Sequence, residues 1–95
     1  MTSIVIEMEH LLKKAFLPAI LEITDDSSRH QGHQEAGKGQ ETHFTVLMVS
    51  SEFQGKSLLQ RHRAVQNVLK ELLHSKIHAL SLKTLTPQEH QNVAL

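Results

Sequence analysis

His43-Phe44-Thr45-Val46-Leu47-Met48-Val49 is the stretch on which the fold turns. Phe44, Val46 and Met48 alternate with His43, Thr45 and Leu47, the period of a strand whose two faces differ, and its β-branched content favours that reading. Upstream, Ile20 to Ile23 shows Leu21 and Ile23 to one side and predicts a shorter strand, paired antiparallel with residues 43–49. Between the two, Thr24 to Glu41 holds no hydrophobic residue except Ala36, and Gly32, Gly37 and Gly39 fall within it. That composition predicts a flexible loop at about 24–41. Loops longer than about 12 residues are uncommon inside a compact domain and are often functional.

Further out, the period changes from two to between three and four. Ile4, Met8, Leu11, Leu12 and Ala15 line one side of a helix expected over residues 4–16, which Pro18 obliges to end near Phe16. Beyond a turn at Phe53-Gln54-Gly55-Lys56, Leu58, His62, Val65, Leu69 and Leu72 form a second helical stripe that runs out around 74–76, with a short first helix split off before Arg61. Ile77 to Lys83 alternates again and predicts a third strand, with His78 on the side of Leu80 and Leu82. Thr86-Pro87-Gln88-Glu89 opens a last helix: a threonine cap, proline at the first helical position, and glutamate three residues after the cap. The order helix, strand, strand, helix, strand, helix describes an α+β domain, a three-stranded sheet with helices on one face.

At 95 residues the chain suits one domain over 1–95 with a modest core. No apolar run approaches the roughly 18 residues that cross a bilayer. No basic residue precedes the short apolar stretch near Met1 and no small-residue cleavage site follows it, so the expected location is the cytoplasm. The ten basic and ten acidic residues cancel, yet they are not evenly spread: residues 1–60 hold five bases against eight acids, and residues 61–95 hold five against two.

Cysteine is absent, which excludes disulfide scaffolds, thiol nucleophiles and any iron-sulfur cluster built by this chain alone. Catalysis finds no foothold either. Gly37-Lys38-Gly39 lacks the spacing and the strand-to-helix setting of a phosphate loop, and Ser27, Ser28, Ser50 and Ser51 sit in no nucleophile elbow. Histidine stands out instead, with eight copies. His30 and His33 in the loop form a His-x-x-His pair able to meet a transition metal through ring nitrogens, although two ligands do not complete a site. His62 is expected to be partly buried on its helical stripe. Lys56, Arg61, Arg63, Lys70 and Lys76 make residues 53–76 basic, a pattern suited either to solvated helix charge or to phosphate contact. The three phenylalanines all fall on apolar faces, which leaves no platform for stacking bases.

Several of these stretches occur together in a familiar succession. Leu21-Glu22-Ile23, Asp25-Asp26-Ser27 with His30, Glu41-Thr42-His43-Phe44, Val49-Ser50 to Phe53-Gln54-Gly55, Arg61-His62-Arg63 and Ile77-His78-Ala79-Leu80 resemble the successive signatures of the BolA family over about residues 8–90. The resemblance implies a class II KH-like fold of order αββααβα and a non-enzymatic role. It also implies pairing with a monothiol glutaredoxin through a shared 2Fe-2S cluster, with glutathione and the partner's thiolate as the other ligands. The cluster histidines would be His78 and a loop histidine, His30 with His33 as its competitor. The alternative function it implies is that of a DNA-binding transcriptional regulator of cell shape and stress response, using Lys56, Arg61, Arg63, Lys70 and Lys76 on a helix-turn-helix-like segment at 53–76. Alone, the chain is expected to be a monomer.

Overall fold

The computed structural model describes residues 3–26 and 43–93. Helix α1 (Ile4–Phe16) leads into β1 (Ile20–Asp25), β2 (His43–Val49), a single 3-10 turn at Ser51–Phe53, α2 (Leu58–Val68), α3 (Lys70–Ser75), β3 (Ala79–Leu85) and α4 (Pro87–Val93). With the helical region at 58–75 counted as two helices, this is the order αββααβα. The loop expected at about 24–41 gives up its first two residues, since β1 continues to Asp25; most of what remains, including His30 and His33, lies outside the described residues.

The sheet has the order β1-β2-β3, with β1 antiparallel and β3 parallel to the central strand. The registers set one face of the sheet in three rows. Leu21, Met48 and Thr84 share one row, Ile23, Val46 and Leu82 the next, and Asp25, Phe44 and Leu80 the last. This face meets Met8, Leu12 and Phe16 of α1 and Val65, Leu69 and Leu72 of the later helices, together with Phe53 and Ile77, in one apolar core. A fully buried Met or Leu contributes roughly 1.5–3 kcal/mol, so α1 is held chiefly by three side chains spaced four residues apart. Ala15, expected on that stripe, is exposed.

Local signals fix the helix ends. Ser3 accepts from the Ile6 N–H at 3.1 Å, and Ser57 and Gln60 form a reciprocal capping box that opens α2. At the other end of α1, Leu17 takes a left-handed conformation, φ 46°, while its N–H donates to the Lys13 carbonyl at 3.0 Å. Proline follows and closes the helix. Gly55, at φ 77°, supplies the only other positive φ among the described residues, where the chain turns into α2.

Four expectations need correction. No helix is split off before Arg61; the break comes at Leu69, a fully buried residue whose backbone leaves the helical region. A single residue between α2 and α3 makes them a bent helical segment, not the pair splayed by a 3–4-residue turn that a helix-turn-helix requires. The buried stripe of α2 runs through Arg61 and Val65, while Leu58 is 61% exposed; His62 is half-buried, as expected. The third strand begins at Ala79 and extends to Leu85, so His78 immediately precedes it.

Candidate functional site

The site residues are placed by the parallel pairing of β2 and β3. Parallel strands need a crossover, here α2 and α3, and therefore begin at the same end of the sheet. His43 opens β2 opposite Ala79, the first residue of β3. His78 is positioned from the other side by α3: the Lys76 and Ile77 N–H groups both donate to the Leu72 carbonyl at 2.7 Å, and Ile77 is 3% exposed in the core. The residue after such an anchor turns outward, and His78 is exposed.

Its ring lies edge-on to that of His43, with centroids 5.6 Å apart and planes inclined by 62°. Two imidazoles thus share one sheet corner, beside a shallow groove lined by Ile4, Leu73, His74, Lys76 and Ile77. His43 was not singled out as a ligand by sequence reasoning. The available signal was topological: both Thr42-His43-Phe44 and Ile77-His78-Ala79 open strands separated by a helical crossover, which brings their first residues together.

Among the described residues, no group of three or more histidine, cysteine, aspartate or glutamate side chains could hold a metal ion. Neighbouring imidazoles with no thiolate form an incomplete donor set for iron. They fit a group whose remaining ligands come from outside the described residues.

The basic residues divide. Lys56, Arg63, Lys70 and Lys76 are exposed, and the first three recur every seventh residue. Arg61 does not belong with them, because it is 6% exposed and its donors are consumed inside the protein. Its Nε donates to the Lys56 carbonyl at 3.0 Å, and one terminal nitrogen to the Thr84 carbonyl at 3.1 Å. Both terminal nitrogens grip the Glu89 carboxylate, at 2.8 and 3.1 Å. The guanidinium carbon also sits 5.9 Å from the Phe53 ring centroid.

Glu89 closes the capping box foreseen at Thr86. Its Oε1 accepts from the Thr86 N–H at 2.9 Å, and its own N–H donates to the Thr86 hydroxyl at 3.1 Å. The Arg61 hydrogen bond first, and the Thr86 N–H second, hold the Glu89 carboxyl at a pKa of about 2 instead of 4.5. The start of α2, the end of β3 and the cap of α4 are joined through one guanidinium.

Comparison with known proteins gives a consistent result. Residues 12–89 match the family described as BolA-like protein. The chain is 40% identical over 86 residues to the "DNA-binding transcriptional regulator BolA" of Escherichia coli, covering 90% of this chain and 78% of that protein. It is 42% identical over 78 residues to "BolA-like protein 1" of Mus musculus, covering 82% of this chain but only 54% of the mouse protein. With "SufE-like protein 1, chloroplastic/mitochondrial" of Arabidopsis thaliana it is 45% identical over 82 residues, which amount to 22% of that much longer protein. Among solved structures, BolA1 from Arabidopsis thaliana superposes with a TM-score of 0.82 at 37% identity, covering 94% of this chain and 98% of that one.

Proposed function

Because the chain belongs to the BolA-like family, we propose that it is a non-enzymatic regulator or adaptor that binds a monothiol glutaredoxin through a shared 2Fe-2S cluster in iron-sulfur or iron homeostasis. The observation that carries this reading is the exposed His78 ring at the sheet corner, with His43 beside it and no third ligand in reach among the described residues. His78 and one loop histidine, His30 or His33, would hold the metal from this side. The cluster would supply a redox-active, pH-sensitive link between the two proteins, because an imidazole must be deprotonated to ligate and histidine ligation raises the reduction potential.

The protein's own residues do the positioning. Ile77 is sunk in the core and the Leu72 carbonyl ties down its N–H, so the backbone at His78 is fixed before any partner arrives. Titrating the chain into cluster-loaded monothiol glutaredoxin tests the reading through visible absorption and circular dichroism. His78→Ala should alter both spectra of the mixed complex, whereas His62→Ala, a change on the far helix, should leave them unaltered. Identical spectra with and without the His78 ring would remove the ligand assignment.

A second reading, a DNA-binding regulator, is supported by the name of the Escherichia coli relative and by the exposed series Lys56, Arg63 and Lys70. Phosphate contact requires binding that weakens steeply with salt, and Arg63→Ala should lower the slope of log affinity against log salt by about one. Salt-independent binding would leave this reading without a physical basis.

A further inference from the structure

A second groove, of about 500 Å3, runs between α1 and α3 and is lined by Ile6, Glu7, His10, Leu11, Glu71 and Leu72. Its floor is apolar, and Ile6 stands 55% exposed at its edge. Two of the six lining side chains are carboxylates, and none is lysine or arginine. One carboxylate is unusual: Glu7 Oε1 is buried yet accepts no hydrogen bond. The nearest cation paired with it, the half-exposed Lys76 ammonium, is 3.9 Å away, beyond hydrogen-bonding reach. The Glu7 side chain as a whole is 37% exposed and presents its charge to the groove.

We propose that this groove docks a cationic amphipathic segment of a partner protein. An apolar side chain would lie against Ile6, Leu11 and Leu72, and an adjacent lysine or arginine would pair with the exposed side of the Glu7 carboxylate, with Glu71 adding charge from the opposite wall. Charge selects the occupant: nucleic acid and anionic lipid surfaces are repelled by the same two carboxylates that attract this segment. Nothing in the proposal involves a metal, so it stands or falls separately from the role of His78.

The probe is a synthetic helix-forming peptide of alternating leucine and lysine clusters, compared with its leucine and glutamate counterpart, each titrated into the 15N-labelled full chain. The Leu/Lys peptide should shift the amide resonances of Ile6, Glu7, His10, Leu11, Glu71 and Leu72, and the Leu/Glu peptide should not. Glu7→Gln combined with Glu71→Gln removes two exposed charge pairs and should weaken binding about fivefold, the ratio expected for two such pairs. Ile6→Ser, at a position already open to solvent, should weaken it too while the spectrum stays folded. Equal binding of both peptides, shifts centred on α2, or unchanged affinity in the double glutamine variant would overturn the proposal. Concentration-dependent shifts of the same residues without peptide would overturn it as well, in favour of a second copy of the chain as occupant.

Discussion

Arg61→Met tests whether a residue in a basic run holds the fold together or faces outward. Methionine keeps much of the apolar stem that Arg61 buries, so the loss falls on the guanidinium and its bonds. Two of those bonds go to main-chain carbonyls, of Lys56 and Thr84, and the Thr84 bond is buried. At about 1.5 kcal/mol for each hydrogen bond made by a charged donor, their removal should cost about 3 kcal/mol. That is a large share of the 5–15 kcal/mol available to a typical domain. Urea unfolding monitored by far-ultraviolet circular dichroism should show a lower midpoint at an unchanged m-value.

An acid titration separates the ion pair from the rest. The Glu89 carboxyl has its pKa lowered from 4.5 to about 2 in the folded protein, so its contribution is fully present above about 4.5 and is lost as pH falls towards 2. Without Arg61 most of that depression disappears, and the variant should lose less stability than the parent over the same acid range. An unfolding free energy within about 0.5 kcal/mol of the parent's, with the same acid slope, would show that the guanidinium contributes nothing to the fold.

Two other changes should be stabilising. Leu17, with φ 46° and 76% of its surface exposed, carries left-handed strain that glycine does not; Leu17→Gly should gain up to about 1 kcal/mol after glycine's greater unfolded-state entropy is offset, visible as a higher thermal midpoint. A lower midpoint would mean that the leucine makes contacts worth more than its strain. Thr84 is 2% exposed and its hydroxyl oxygen has no hydrogen-bond partner; Thr84→Val replaces an unsatisfied polar group with a methyl of similar size and should add about 1 kcal/mol in urea unfolding. Destabilisation by the same amount would mean that the hydroxyl is in fact satisfied.

The parts of the fold legible in the sequence are those governed by neighbours. The alternation of Phe44, Val46 and Met48, the stop at Pro18 and the reciprocal cap of Thr86 and Glu89 each depend on residues a few positions apart, and each appears where expected. Arg61 was misplaced because its partners are distant. Its neighbour His62 completes the apolar stripe by spacing, but Glu89 and the Thr84 carbonyl, over twenty residues away, decide which of the two turns inward. The break at Leu69 carries no proline or glycine; the sheet and core that receive Leu69 and Leu72 set the bend, a tertiary choice overriding a continuous helical pattern. The residues at the candidate site were half legible. His78 could be named from the Ile-His-Ala-Leu stretch, while the placement of His43 beside it required the parallel register of β2 with β3.

That register also separates the two polar features of the domain. His43 and His78 lie where β2 and β3 begin, whereas Arg61 binds at Thr84 and Glu89, where β3 ends and α4 starts. A seven-residue strand is about 20 Å long, well beyond the distance over which substitutions usually interact. The guanidinium therefore sets how firmly the far end of the sheet is closed without orienting the imidazoles. A loss of partner binding in an Arg61 variant must come through the fraction of folded protein, while a loss in a His78 variant of unchanged stability must come from the ring itself.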